Sequence, residues 1–273
     1  MIDSNYLDDW IKPLIRHPVT KLSSALDDFE TINGFLNFRI PLRNTLGYSS
    51  WETGQGFFEN WEQHGTGYNK GVKSYIEEID ADKEIYDQFV LNESVLDVGG
   101  LSGTLRHFIT KECKYVCIDP FENAPHAFTN EKKEAYKCLS SPYNFIVGNA
   151  EFLPFRENSF KYVHMRSMLD HVQIPDLALL EANRVMKSDG RLIVGMTVEG
   201  GRNGRISIFE KIKNILRVAL GFTGFKQFVD HHTWHPTYKG LIKLANDNGF
   251  TEMKEIWQSK WKGRVVYIMF KKS

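Results

Sequence analysis

The 273-residue sequence has little cysteine: Cys113, Cys117 and Cys138 are its only three. They are too few and too clustered for a disulfide framework, and no Cys-x-x-Cys pair has the second half that a structural zinc site needs. Reduced thiols in a cytoplasmic protein are the expectation. An excess of either charge is also missing, with 34 Lys and Arg against 34 Asp and Glu. A broad nucleic-acid footprint normally demands surplus Lys and Arg, so no extended nucleic-acid surface is expected. The longest apolar stretch, Val265 to Phe270, is far too short to cross a bilayer. The start, Met-Ile-Asp-Ser-Asn-Tyr, offers neither the basic nor the apolar region of a signal peptide. No repeat or low-complexity tract stands out.

What remains has the proportions of a globular protein, 42% hydrophobic and 25% charged. The pattern changes near residue 90. Before it lie scattered aromatics, glycines 54, 56, 65 and 67, and an acidic run from Glu77 to Glu84. After it, short apolar runs alternate with helical patterns, the signature of an α/β domain with a largely parallel sheet. The runs begin at Ser94-Val95-Leu96-Asp97-Val98, with a helix expected from about Thr104 to Lys111. Tyr115 to Ile118, Asn144 to Val147, Phe160 to Met165 and Arg191 to Met196 follow. A helix over Leu177 to Met186 is stopped by Asp189-Gly190. Another opens at Pro236-Thr237 and closes at Asn248-Gly249, proline early and glycine late as helix ends prefer. Glu252 to Gln258 and Arg264 to Phe270 are joined by a link that allows only an antiparallel hairpin. The expected fold is α/β: a doubly wound, seven-stranded, mostly parallel sheet with a terminal antiparallel hairpin and a small irregular, partly β N-terminal appendage.

Asp97-Val98-Gly99-Gly100-Leu101-Ser102-Gly103 joins a strand to a helical pattern, and such a turn brings backbone N–H groups close to a ligand. Asp119 ends the next strand, at the distance where an acid accepts from ribose hydroxyls. A nucleoside-containing ligand follows. The dinucleotide fingerprint G-x-G-x-x-G is not met, because Leu101 holds a glycine position and no glycine follows Gly103 at the required spacing. A carboxylate two residues before the first glycine opposes a pyrophosphate but suits a cationic amino group.

Val95 to Gly103 resembles the first motif of the class I S-adenosylmethionine-dependent methyltransferases. Cys117-Ile118-Asp119-Pro120 is similar to their second-strand acid, and Gly148-Asn149-Ala150-Glu151-Phe152-Leu153-Pro154-Phe155 to their adenine-edge segment. Phe160 to Val172, ending Leu169-Asp170-His171-Val172, resembles their fourth strand and following turn. Arg184 to Leu192 resembles the helix end that leads into strand five. The match runs in order over roughly residues 90 to 272. It implies S-adenosyl-L-methionine as cofactor and an active methyltransferase. Asp97, Gly99, Gly100, Ser102 and Gly103 would shape the cofactor loop, with Asp97 near the amino group. Asp119 and Pro120 would hold the ribose, Asn149, Ala150 and Glu151 would border adenine, and Met165 and Arg166 the methionine moiety. Leu101, Asn149 and Lys161 depart from the family pattern and motivate an alternative, a cofactor-binding partner protein without turnover. A nucleotide-sugar or NAD-linked enzyme is a third reading.

On the acceptor side, His171 is the best-placed base and Asp170 the next, although His171 packed beneath the cofactor is an equal reading. Asp230-His231-His232-Thr233-Trp234-His235 gathers three histidines and an acid. Adjacent histidines splay apart and the spacing is no recognised ligand set, so no metal is expected. The segment resembles the lead-in to the penultimate helix in these methyltransferases, which makes His232 and His235 acceptor contacts. From Arg202 to Lys226 there are six basic residues and one acid. Ile208, Ile212, Ile215, Leu216 and Ala219 give that segment an apolar stripe, either a helix covering the core or a lid facing an anionic acceptor or a membrane surface.

Near the N-terminus, Ile15 to Leu22 and Leu36 to Leu42 resemble a small zinc-ribbon-like methyltransferase-activator domain. His17-Pro18-Val19-Thr20 stands where the zinc-bearing versions have Cys-Pro-x-Cys, which implies a metal-free form. The expected domains are therefore an appendage over 1–50, a helical linker or cap over 51–90, and a methyltransferase domain over 91–273 with a lid insertion at about 200–230. The expected reaction is methylation at oxygen or nitrogen of a small-molecule, glycan-linked or lipid-linked acceptor.

Overall fold

In a computed structural model, the structure describes residues 6–43, 48, 51–56, 71–204, 212, 232–258 and 264–273. Its nine strands are β1 (Thr31–Ile32), β2 (Phe35–Phe38), β3 (Ser94–Val98), β4 (Lys114–Asp119), β5 (Asn144–Gly148), β6 (Phe160–Arg166), β7 (Met186–Thr197), β8 (Phe250–Trp257) and β9 (Val265–Lys272). They form one sheet in the order β1-β2-β5-β4-β3-β6-β7-β9-β8. Strands β2 through β7 pair in parallel, and β9 pairs antiparallel with both β7 and β8. The mostly parallel sheet with its terminal hairpin is thus as the sequence predicts, but it has nine strands instead of seven. The extra two come from the N-terminal segment, where Asn37 and Phe38 take register against Val147 and Gly148 of β5. Residues 31–38 are therefore an edge of the main sheet. Strands of two and four residues give too little alternation to be read from sequence.

Side chains alternate across the sheet and build a core on each face. Leu96, Val98, Val116, Ile118, Ile146, Val163, Met165, Leu192 and Val194 enter one core. Their neighbours Val95, Tyr115, Cys117, Phe145, Val147, Ile193 and Tyr267 enter the other. The first core is covered by α3 (Pro175–Val185) and α4 (Tyr238–Asp247), and it also receives Ile11 and Ile15 from the N-terminal segment. The second is covered by α1 (Val72–Tyr86), which contributes Ile85 and Tyr86. A short α2 (Asn130–Ala135) completes the set of described helices longer than one α-turn outside residues 51–56.

Local chemistry accounts for the helix ends. Pro175 sits in the first turn of α3 with Asp176, where a fixed φ and a negative charge both favour a helix start. Its buried stripe is Ala178, Leu179, Ala182 and Val185, while Leu180 is exposed. Thr237 caps α4 by accepting from the Gly240 N–H at 3.1 Å, and Gly249 leaves the helix at φ +80°. Two expectations need correction. The helix from Thr104 to Lys111 is only a 3₁₀ turn over Thr104–His107, because Phe108 and Ile109 leave it to pack on the second core before β4 begins. Asp189-Gly190 does not stop α3, which ends at Val185; the pair lies inside β7. The lid candidate lies outside the described residues except for residues 200–204 and the exposed Ile212.

Gly195 in β7 lies under the buried Tyr267 ring, and a Cβ there would come within 2.4 Å of Tyr267 Cε1. Gly195→Ala should therefore lower unfolding free energy by about 1–3 kcal/mol, the usual range for overpacking, as measured by urea denaturation.

Candidate active site

The chain runs outward from β3 to β4 and β5, then returns to place β6 on the other side of β3. Strand order reverses there, and open α/β sheets bind ligands outside the carboxyl ends of their strands at such a point. Two hollows lie at those ends and share Gly99, Leu101 and Ser167 as common wall. The first is a cleft of about 960 Å³, including its open mouth, lined by Asp119, Pro120, Asn149, Ala150, Glu151 and His171 among others. The second is lined by Asp97, Gly100, Ser102, His164, Arg166 and Asp82. Together they make a trough divided by the glycine turn.

The turn is shaped by positive φ at Gly99 (+72°), Leu101 (+47°) and Gly103 (+73°). At Gly100 the reason for glycine is different: a Cβ would fall 2.4 Å from Asp97 Oδ2. The backbone thus passes directly over the Asp97 carboxylate. Asp97 is only 2% exposed. Its Oδ2 accepts from the Tyr115 hydroxyl at 2.6 Å, and its Oδ1 pairs with His164 Nδ1 at 2.8 Å. His164 Nε2 in turn meets the Tyr86 hydroxyl at 2.9 Å. All donors are satisfied when Nδ1 carries the imidazole proton and Nε2 accepts from Tyr86. Burial raises the pKa of both Tyr86 and Tyr115, which keeps them protonated donors. Asp97 therefore supports the turn from below. Both carboxylate oxygens have internal partners, and Asp97 also lines the second hollow.

Asp119 Oδ2 accepts from Leu101 N–H at 2.9 Å and Oδ1 from Phe121 N–H at 3.0 Å, which aims the carboxylate along the cleft wall. Asn149 Oδ1 accepts from Ile40 N–H at 2.9 Å, tying the N-terminal segment to the cleft floor. Glu151 is buried, and its Oε1 accepts from Gln173 N–H at 2.8 Å and Ile174 N–H at 3.3 Å. It thereby fixes the entry to α3. Met165 does not join the trough: it is 1% exposed and belongs to the first core. Strand alternation sends Met165 to that face and His164 and Arg166 to the other. Arg166 forms a two-pronged pair with Asp82 of α1, at 2.5 and 3.0 Å, and Gln258 Nε2 donates to the same carboxylate at 2.9 Å.

A nucleoside with a charged tail fits this trough. Gly99 leaves room that a Cβ would lose against Met168 at 2.8 Å, and the Ser102 hydroxyl is buried beside the second hollow with no hydrogen-bond partner. Gln55 Oε1, on the helical residues 51–56 that roof the cleft, is also buried without a partner.

At the far end, Asp170, His171 and His232 each bring a ligand-type atom within 4.8 Å of the others. The His171 and His232 rings lie 4.6 Å apart at 30°. The segment carrying His232 is pinned to the turn after β6. Thr233 N–H donates to Asp170 O at 2.7 Å, Thr233 Oγ1 to Val172 O at 2.7 Å, and Trp234 Nε1 to Leu169 O at 2.6 Å. His235 is exposed and lies near Glu199, with Nδ1 3.9 Å from Oε1. Asp230 and His231 lie outside the described residues.

Residues 96–194 match the methyltransferase domain family. The chain is 32% identical over 184 residues, 61% of its length, to the ubiquinone/menaquinone biosynthesis C-methyltransferase of Rickettsia prowazekii, covering 74% of that relative. It belongs to the class I S-adenosylmethionine-dependent methyltransferases. It is also 28% identical over 187 residues to a mitochondrial arginine-hydroxylase of Homo sapiens, covering 60% of this chain and 52% of that one. The fold is shared with the 1,6-didemethyltoxoflavin-N1-methyltransferase of Burkholderia thailandensis, solved with 1,6-didemethyltoxoflavin and S-adenosylhomocysteine bound. That likeness has a TM-score of 0.55 at 13% identity and covers 87% of this chain and 94% of the other.

Sequence reasoning missed Trp51, Gln55, Phe121, Ser167, Met168 and Val172, which also line the cleft. Ser167, with φ +48°, carries no glycine to mark its turn.

Glu151 has its pKa raised above the ordinary 4.5, chiefly by burial, with the backbone hydrogen bonds opposing. The fold thus favours the protonated acid, and this group's contribution to stability declines as pH rises from the unfolded value through the raised one. Glu151→Gln keeps an acceptor for Gln173 and Ile174. Its unfolding free energy relative to the parent should rise as pH increases above the ordinary 4.5, as read by denaturation at each pH.

Proposed function

We propose that this methyltransferase alkylates a small, largely apolar acceptor that reaches the cleft at its His171 end. The observation that carries the reading is the cleft itself. Apolar Trp51, Met168 and Val172 line it together with His171, Asp119, Asn149 and Ala150. S-adenosylmethionine supplies an electrophilic methyl group on a sulfonium sulfur when bound. Asp119 would accept from the ribose hydroxyls, Ala150 and Phe121 would border the adenine, and Arg166 and Ser102 would lie toward the methionine tail.

The protein's own work is to orient the acceptor and exclude water, since displacement at a sulfonium carbon needs alignment above all. His171 would hold or remove the acceptor proton, with Asp170 beside it, Nε2 to Oδ1 3.8 Å. The C-methyltransferase relative favours carbon as the methylated atom over the oxygen or nitrogen expected from sequence. Attack by carbon requires an electron-rich ring or enolate, which an apolar cleft with one proton acceptor suits. Binding without turnover is the second reading, favoured by the engagement of Asn149 Oδ1 with Ile40.

Calorimetry should show one S-adenosylmethionine per chain, and Asp119→Ala should weaken it by about tenfold or more, the value of a hydrogen bond to a charged group. No binding by the parent protein would sink the proposal. Labelled-methyl transfer into fractionated small-molecule and lipid extracts, with mass spectrometry of the product, then separates the two readings. A methyl group on carbon supports the first, and binding without any transfer supports the second.

A further inference from the structure

We propose that Asp170, His171 and His232 form a binding site for one divalent first-row transition-metal ion at the acceptor end of the cleft. The sequence argued against a metal because His231 and His232 are adjacent and diverge. The structure pairs His232 instead with Asp170 and His171, from the turn after β6. His171 Nε2 lies 3.8 Å from Asp170 Oδ1 and His232 Nε2 lies 3.7 Å from Asp170 Oδ2. These separations are too long for hydrogen bonds. They are close to the roughly 3.4 Å between donors that each sit about 2.1 Å from a tetrahedral ion.

The carboxylate supplies the second observation. Asp170 is 9% exposed, and its Oδ1 is buried with no hydrogen-bond partner. A buried carboxylate oxygen without a hydrogen bond is expensive unless a cation compensates it. In this cluster both cationic candidates are imidazoles, and a metal ion bound by neutral imidazole nitrogens and one carboxylate satisfies all three groups together. Preorganisation is the third. The hydrogen bonds from Thr233 and Trp234 to residues 169, 170 and 172 hold His232 against His171 without any ion.

Two imidazoles and one carboxylate suit zinc, cobalt, iron or manganese better than magnesium or calcium, which prefer all-oxygen sets. Three protein ligands leave coordination positions open, and His171 lines the cleft. Those positions suit an oxygen donor of the acceptor, a hydroxyl or carbonyl beside the methylated atom. That use of the ion rests on the proposed methyl transfer, whereas ion binding itself does not.

The test uses the full chain, free of any histidine tag and stripped with chelator. Cobalt(II) is titrated with absorbance in the visible ligand-field region, and zinc(II) by calorimetry. One ion per chain is expected, with ligand-field bands showing nitrogen and oxygen coordination. His171→Ala and Asp170→Asn should each weaken binding by at least about tenfold, the lower bound found even for residues that only support metal ligands. His232, 34% exposed at its side chain, tolerates replacement most readily, so His232→Gln provides the variant least prone to misfold. Circular dichroism verifies its fold. Absence of cobalt and zinc binding by the parent chain overturns the proposal, as does binding unchanged in folded His232→Gln. Neither result touches S-adenosylmethionine binding, measured separately, so failure of the metal site and failure of the methyltransferase reading are distinguishable.

Discussion

The buried carboxylate of Asp97 is the contact on which the glycine turn between β3 and β4 depends. It joins β3 to β4 through Tyr115, to β6 through His164, and by way of His164 to α1 through Tyr86. The glycine turn runs over it so closely that Gly100 has no room for a side chain. A charge this deep is tolerable only when its oxygens are engaged, and removing one partner of such a set typically costs about 3–5 kcal/mol. The same bonds that compensate the charge also set the height of the turn above the sheet. Turn geometry and charge burial are thus one constraint, and neither can relax without the other.

This arrangement explains how a loop with Leu101 in place of a glycine can still serve. Leu101 adopts φ +47°, and its N–H is held by Asp119 Oδ2 while its carbonyl receives the Tyr143 hydroxyl at 3.0 Å. A left-handed non-glycine residue is strained, and strain of that kind persists where surrounding contacts over-determine it. Asp119 therefore acts on both sides of the trough, bracing the turn and lining the cleft. The departure from the family pattern is accommodated by added hydrogen bonds.

Most of the central sheet was legible because each strand is short, apolar and set off by turn residues, and because alternation between two buried faces leaves a regular trace. The same alternation, applied residue by residue, places Met165 on one face with Val163 in the first core. Asp97 was correctly singled out as an unusual acid beside glycines, but its partners come from β4, β6 and α1, and no local spacing announces them. The two N-terminal strands were invisible for a simpler reason. They are too short to carry a period, and Asn37 and Phe38 earn their strand geometry only by pairing with β5.

The cluster of Asp170, His171 and His232 shows the limit of local reading most clearly. Three clustered histidines drew attention to residues 231–235, yet the grouping that matters pairs one of them with a turn some sixty residues earlier. What brings them together is an uncharged polar clamp, Thr233 and Trp234 donating to carbonyls of the turn after β6. Those carbonyls are exposed by the chain's change of direction as it leaves the strand, and backbone groups in such turns need partners from elsewhere. A hydroxyl and an indole N–H carry no charge or motif by which to be noticed. They nevertheless hold His232 beside Asp170 and His171, so the chemistry available to this cluster follows from hydrogen bonds made by its least conspicuous residues.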